Sequence, residues 1–163
     1  MASIHLIVGN VGAGKSTTAA RLAATTRAHV IAVDEWMRVL FHADIPDPPS
    51  YAWAIERTRR IDVAAVTEAT RLAALGLPVI LDLGFFAREH RDRVRAAIAD
   101  AGALSVTHIL DVPKEERWHR VERRNRERPA GWQFDVDRAT FELCETLYEP
   151  PDEEERVGAV MTL

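Results

Sequence analysis

The chain has 163 residues, of which 47% are hydrophobic and 28% are charged, which is typical of one globular domain with a buried core. Its formal net charge of -4 at pH 7 argues against general affinity for nucleic acid, because polyanions are held by an overall basic field. Cys144 is the single cysteine, which excludes an intrachain disulfide and favours a reducing compartment.

No segment has the pattern of an export signal or of a membrane span. The first residues lead into an apolar strand-like run without a basic region, and no window reaches the roughly 18 apolar residues that a span requires. We therefore expect a soluble, cytoplasmic protein, acting as a monomer or homodimer. Its expected partner is a small hydroxylated substrate, and neither a membrane nor nucleic acid is expected to bind.

Strands and helices alternate along the chain, which predicts an α/β fold with a parallel sheet of about five strands and helices on both faces. Short apolar runs predict strands, the last of them weakly, at 4–8, 29–33, 77–82, 104–112 and 157–162. Helical patterns occupy residues 16–24, 35–41, 52–75, 88–101, 113–126 and 135–148. Gly76 is expected to terminate the long third helix, and the acidic run 153–155 is expected to be a solvated turn. We treat residues 1–163 as a single domain.

The most specific signal is the segment directly after the first predicted strand, which matches G-x-x-x-x-G-K-[ST] at every fixed position. Its glycines allow backbone N–H groups to surround a phosphate, and the helix that follows adds the positive end of its dipole. Lys15 is expected to contact the β- and γ-phosphates, and Ser16 to bind Mg²⁺. The predicted nucleotide-binding residues are Gly9, Asn10, Val11, Gly12, Ala13, Gly14, Lys15, Ser16 and Thr17.

This pattern is that of a P-loop, here residues 9–16, and two large classes of P-loop protein lack support in this sequence. A GTPase would carry D-x-x-G and N-K-x-D segments, and an ABC-type ATPase would carry an L-S-G-G-Q-like signature in a much larger domain. A short chain with a late arginine-rich helix is instead typical of a small-molecule or nucleotide kinase. The expected cofactors are ATP and Mg²⁺, with GTP left open as the nucleotide.

Asp34 comes directly after the second predicted strand, and Asp82 is the last residue of the third. Both therefore lie at the edge of an open α/β sheet that faces the ligand crevice. Asp34 could accept the proton of an acceptor hydroxyl during transfer, or it could cap a helix that begins at Glu35. Glu35 is the alternative base. Asp82 is expected to orient Mg²⁺, and its alternative is a turn residue before Gly84.

Arginines supply the remaining candidate groups. Helical spacing places Arg117, Arg120 and Arg124 on one face, where a phosphate chain would relieve their mutual repulsion. The alternative is a solvated helix with exposed ion pairs. The break at 129–131 predicts that the segment 114–140 is a lid. On the preceding helix, one of Arg88, Arg91 and Arg93 could also reach the crevice, with Arg91 the best placed, and the alternative is again a solvated helix face.

These segments together resemble the small P-loop kinase-like proteins with an AAA-type ATP-binding domain, and more distantly gluconate kinase, chloramphenicol phosphotransferase and the zeta-toxin kinases. The resemblance rests on residues 9–17, 33–36, 79–85 with Arg91, 120–125 and 140–151. It implies a P-loop NTPase fold with a helical, arginine-rich lid and transfer of the ATP γ-phosphate to a hydroxyl. Carried onto this chain, Lys15 and Ser16 serve the nucleotide, Asp34 the acceptor, and Arg120 and Arg124 the lid.

The sequence thus predicts an ATP-dependent kinase with an alcohol group as acceptor. Its predicted catalytic residues are Lys15, Asp34, Arg120 and Arg124, and its predicted metal ligands are Ser16 and Asp82. Two alternatives remain open: a switch protein that binds and hydrolyses ATP without a phosphate acceptor, and a nucleic-acid end kinase. The identity of the acceptor is left open as well.

Overall fold

A computed structural model describes residues 2–48, 50–129, 132 and 135–162, and it places a five-stranded parallel sheet between helices. The strands are β1 (Ser3–Val8), β2 (His29–Ala32), β3 (Val79–Asp82), β4 (Leu104–Leu110) and β5 (Val160–Thr162). The helices are α1 (Lys15–Thr26), α2 (Val33–Phe41), α3 (Tyr51–Ala74), α4 (Arg88–Asp100), α5 (Lys114–Glu127), α6 (Arg138–Leu147) and α7 (Glu153–Arg156). The predicted α/β fold class is therefore confirmed.

The strand order β2-β3-β1-β4-β5 determines which loops meet. All four strand pairs are parallel, so the carboxyl ends of the strands lie along one edge of the sheet. β1 is central, and the P-loop leaves its carboxyl end between β3 and β4. Ala32 of β2 is in register with Asp82 of β3, which brings the start of α2 to the same edge. One crevice therefore collects residues from the β1, β2 and β3 ends.

The core is divided by the sheet, because alternate residues of each strand point to opposite faces. Ile4, Leu6 and Val8 pack on one face with Ile31, Leu81 and Ile109, under the apolar side of α3 and α4. Ile7 packs on the other face with Ile80 and Leu110, against Ala19 of α1. β3 is buried at every position, as its continuous apolar run predicts. Among the described residues, no helix is long and apolar enough to cross a membrane.

Most predicted elements agree with the structure to within a few residues at their ends. The C-terminus of α3 is as predicted: Gly76 has a φ of 84° and donates its N–H to Ala73, while Leu77 donates to Leu72. The differences lie at α2, which begins at Val33 rather than Glu35, and at the last strand, which has only three residues. The break predicted at 129–131 includes Ala130 and Gly131, which lie outside the described residues.

The acidic run 153–155 is solvated at Glu153 and Glu154, as its charge predicts, but it is not a turn and its last residue is not exposed. It forms the short helix α7, and Glu155 is buried because both its oxygens accept hydrogen bonds from the Arg91 guanidinium, at 2.8 and 2.7 Å. Arg95 adds a further bond of 2.8 Å to Glu155. These hydrogen bonds lower the pKa of Glu155 to about 2.

The same pair corrects the prediction for Arg91, which does not reach the crevice. Its side chain is fully buried, and its Nη1 donates to the carbonyls of Phe85, Phe86 and Glu149. Arg91 therefore anchors the loop after β3 to the C-terminal segment. Arg88 pairs with Asp152 and Glu154, and Arg93 pairs with Glu89 on its own helix, so neither neighbour is directed at the crevice.

The variant Glu155→Gln is expected to lower the free energy of unfolding by about 3 kcal/mol, because it leaves the buried Arg91 charge without its carboxylate. Urea denaturation measures the loss. The matched control is Glu154→Gln on the same helix, whose exposed pair with Arg88 contributes at most about 1 kcal/mol. Equal losses in the two variants would contradict a stabilising role for the buried pair. The Glu155 contribution should disappear in wild type as the pH falls from 4.5 towards 2.

A second, partly buried polar pair joins β1 to β4, where the rings of His5 and His108 share a hydrogen bond of 2.9 Å between Nδ1 and Nε2. Burial lowers the pKa of both rings, and the His5 ring lowers the pKa of His108 further. The unfolded chain therefore binds protons at a higher pH than the folded chain does. Stability from this pair is complete above the ordinary histidine pKa of 6.5 and is lost as the pH falls below it.

We expect the urea concentration at the unfolding midpoint of wild type to decrease as the pH is lowered from 7.5 to 5.5. The variant His108→Val should show a smaller decrease. Valine suits a buried strand position and removes one titrating ring from the pair. The control is His119→Gln, which removes an exposed histidine and should leave the pH dependence unchanged. A wild-type slope that persists in His108→Val would assign the dependence to other groups.

Candidate active site

The P-loop connects the carboxyl end of β1 to α1, which begins at Lys15. Gly12 and Gly14 have φ angles of 79° and 93°, a left-handed conformation that glycine adopts without strain. The loop is closed by a hydrogen bond of 3.1 Å from Ala13 N–H to the Asn10 carbonyl. This conformation, at the N-terminus of a 12-residue helix, is suited to a phosphate group.

Lys15 lies near three other charged side chains of the site, those of Asp34, Asp82 and Arg124. Its Nζ donates to the Asn10 carbonyl at 3.3 Å, so the side chain folds back over the loop. Burial lowers the pKa of Lys15, while the nearby Asp82 and Asp34 carboxylates raise it. A bound triphosphate would add negative charge where the ammonium now has only partial compensation.

Ser16 and Asp82 lie together, as expected for two ligands of one metal ion. Ser16 Oγ donates to Asp82 Oδ2 at 3.1 Å, and Asp82 is the last residue of β3. Burial raises the pKa of Asp82, whereas Lys15 and the Ser16 hydroxyl lower it. Among the described residues, no group of three or more His, Cys, Asp or Glu side chains could hold a metal by itself. The two oxygens fit Mg²⁺, which takes few protein ligands and completes its shell with phosphates and water.

Asp34 is exposed in the first turn of α2, on the β2 side of the crevice. The helix cap is Ala32, without any side-chain hydrogen bond, so the alternative role of Asp34 as an N-cap is excluded. Asp34 hydrogen-bonds to no described residue, yet its charge acts on both Lys15 and Asp82. Its carboxylate is thus close to the phosphate site and available to a ligand. Glu35 is also exposed.

Two of the predicted lid arginines lie at the P-loop: Arg120 contacts its backbone, and Arg124 is near Lys15. Arg120 Nη1 donates to the Ala13 carbonyl at 3.3 Å and lies where it would contact a Cβ at Gly14. Arg120 also pairs with Glu116 one turn earlier. Arg124 lies near Lys15, whose pKa its charge lowers, and its buried Nε has no hydrogen-bond partner among the described residues. A phosphate oxygen would satisfy this donor.

Arg117 is not available to the phosphate site as Arg120 and Arg124 are, contrary to the prediction from helical spacing. Its guanidinium is buried and makes two hydrogen bonds to Glu145 of α6, at 2.7 and 2.9 Å. Nε donates to the Val112 carbonyl and Nη1 to the Val11 carbonyl. Every strong acceptor around Arg117 is therefore supplied by the protein itself.

Glu145 was missed in the sequence, although a signal for it exists. It lies four residues after the buried Phe141 and three before Tyr148, so a carboxylate occupies the apolar face of α6. The Asn10 side chain was predicted only as part of the P-loop, and it also bonds to Glu145. Burial raises the pKa of the Cys144 thiol, and the nearby Lys15 ammonium lowers it by a smaller amount.

Comparisons with solved structures find this fold in P-loop kinases. The chain is similar to the APS kinase CysC of Mycobacterium tuberculosis, in complex with AMPPNP and APS, at 24% identity and a TM-score of 0.64, covering 93% of this chain and 84% of that one. It is similar to Kti12 of Chaetomium thermophilum, in complex with ADP-AlF3, at 19% identity and a TM-score of 0.70, covering 98% and 88%. A gluconokinase of Sinorhizobium meliloti shares 17% identity at a TM-score of 0.57, covering 98% and 81%.

A search of curated proteins by sequence finds no match. A family model described as an AAA domain matches residues 4–151, which include the P-loop, the crevice residues and both lid arginines. The chain therefore belongs to this AAA domain family, as a small P-loop kinase-like protein.

Proposed function

We propose that the protein is an ATP-dependent phosphotransferase that moves the γ-phosphate to a hydroxyl of a small molecule. The observation that carries the proposal is the position of Asp34. Asp34 is exposed at the crevice, its charge acts on Lys15 and Asp82, and it makes no hydrogen bond to a described residue. A carboxylate without a partner in the protein can accept the proton of an acceptor hydroxyl.

In the proposed reaction, Lys15 and the P-loop N–H groups bind the β- and γ-phosphates in one orientation. The acceptor hydroxyl donates its proton to Asp34 as its oxygen attacks the γ-phosphorus, and the bond from that phosphorus to the bridging oxygen of ADP breaks. Arg120 and Arg124 stabilise the negative charge on the transferring group. Magnesium held by Ser16 and Asp82 would neutralise charge on the phosphate oxygens.

We further propose that residues 114–140 form a lid within a single domain 1–163. Arg128 has a φ of 42° directly after α5, and Arg128 pairs with Asp135 seven residues later. Asn125 bonds to the backbone of Val136, which ties the two arms of the segment together. Closed over the P-loop, the segment would keep Arg120 and Arg124 at the phosphates and exclude water.

The test is ADP release from ATP and Mg²⁺ by the purified protein, first alone and then with a panel of hydroxylated metabolites and antibiotics. A large stimulation by one compound, with a product heavier by one phosphoryl group, would establish the kinase and identify its acceptor. Slow ADP release that is insensitive to the panel and unchanged in Asp34→Asn would contradict the proposed base and favour an ATP-dependent switch. Stimulation by nucleic-acid ends alone would favour an end kinase.

A further inference from the structure

One carboxylate is shared between the P-loop and the lid helix. Glu145 of α6 makes two hydrogen bonds to the buried guanidinium of Arg117 on α5 and also accepts a hydrogen bond from the Asn10 side chain in the P-loop. Asn10 is 3% exposed and Arg117 is 7% exposed. Three segments that are distant in sequence are therefore joined at one buried point.

The same cluster determines the shape of the P-loop. Asn10 Oδ1 accepts the Val11 N–H at 2.7 Å, and the Val11 carbonyl accepts a hydrogen bond of 3.2 Å from Arg117 Nη1. Asn10 also supplies the carbonyl to which Lys15 donates. Backbone and side-chain groups at the start of the loop are thus satisfied through Arg117 and Glu145.

Close packing leaves little freedom between α5 and the P-loop. A Cβ at Gly12 would lie 2.5 Å from the Arg117 carbonyl oxygen, so only glycine allows this approach. Arg120 and Arg124 follow Arg117 by three and seven residues, which is about 4.5 and 10 Å along the helix axis. A small rotation of α5 about this contact would displace both guanidinium groups from the phosphate site.

We propose that Arg117 and Glu145 are positioning residues, which hold α5 at the distance from the P-loop at which Arg120 and Arg124 contact the terminal phosphate. This inference depends on the proposed nucleotide site but not on the identity of an acceptor. Arg117 itself touches no phosphate, because the protein already satisfies its guanidinium. The expected signature is loss of discrimination between ATP and ADP, since the lid arginines bind the third phosphate, whereas the P-loop also binds the second.

The test compares ATP and ADP dissociation constants, measured with Mg²⁺ by titration calorimetry, in wild type and in Glu145→Gln. Glutamine keeps an oxygen that accepts from Asn10 but loses the charge that holds Arg117. We expect ATP binding to weaken roughly tenfold and ADP binding less than about threefold, as for the loss of one charge-assisted contact at the third phosphate. The matched control Glu142→Gln lies on the same helix, loses an exposed pair with Lys114 of α5, and should keep both constants.

A merely structural role would lower the melting temperature without changing the ratio of the ATP and ADP constants in the folded protein, and that result would overturn the inference. Equal weakening of ATP and ADP binding would overturn it as well. Arg117→Lys provides a second route if Glu145→Gln does not fold, since lysine keeps the charge but loses the paired hydrogen bonds. Because both readouts are binding constants, they remain decisive even if no acceptor is phosphorylated.

Discussion

Replacing Asp34 by asparagine is expected to lower phosphoryl transfer roughly 10²- to 10⁴-fold, the usual contribution of a general base. Asparagine has almost the same size and keeps the exposed position in the first turn of α2, but it cannot take up the acceptor proton. ATP affinity should remain within about threefold of wild type, because removing a negative charge near the phosphates does not weaken their binding. Steady-state transfer to the identified acceptor and ATP titration measure the two quantities.

The neighbouring variant Glu35→Gln is the matched control, since Glu35 is equally exposed and lies on the same helical turn. We expect it to keep most of the transfer activity. A large loss in Glu35→Gln together with an active Asp34→Asn would assign the base to Glu35. Parallel loss of ATP binding and transfer in Asp34→Asn would instead give Asp34 a role in holding the site together.

Replacing Lys15 by alanine should weaken ATP binding about 100-fold. The ammonium is the only lysine group placed at the P-loop in the described part of the chain, and a charged donor to a phosphate contributes about 1.5–3 kcal/mol. Truncation also leaves the Asp82 and Asp34 carboxylates without the cation that partly compensates them. The ATP dissociation constant, measured by titration calorimetry with Mg²⁺, checks this expectation.

Lys114→Ala is the appropriate control, because Lys114 carries the same charge at the start of α5 and pairs with the exposed Glu142. It should bind ATP as wild type does. Unchanged ATP affinity in Lys15→Ala would refute the P-loop assignment and, with it, the positions proposed for both phosphates.

The P-loop and the strand ends could be predicted because their information is local. Glycine, lysine and serine at fixed spacing after an apolar strand specify the turn, the helix start and the phosphate contacts within a few residues. The same holds for the position of Asp82, the last residue of a strand that is buried at every position. In each case the neighbours that define the site are adjacent in sequence or belong to the regular geometry of parallel strands.

The arginines show where local information ends. Helical periodicity places Arg117, Arg120 and Arg124 on one face, but it does not say which part of that face α6 covers. Only the return of the chain brings Glu145 to Arg117, across 28 positions, and distinguishes Arg117 from Arg120 and Arg124, which we propose for the phosphates. Helical periodicity gives the direction in which a side chain leaves the helix axis, but it does not identify the residues or ligands that the side chain contacts there.

Arg91 and Glu155 illustrate the same limit with larger separation. The sequence predicts that Arg91 reaches the crevice and that Glu155 lies in a solvated turn, yet the two residues meet across 64 positions in a buried pair. The sequence by itself determined the fold class, the phosphate loop and the edge of the sheet where the site lies, because these depend on local spacing and strand direction. The tertiary structure decided which charged residues form pairs within the protein and which remain available to a ligand. A buried charge is stable only beside a partner, and the folded chain alone determines which partner lies next to it.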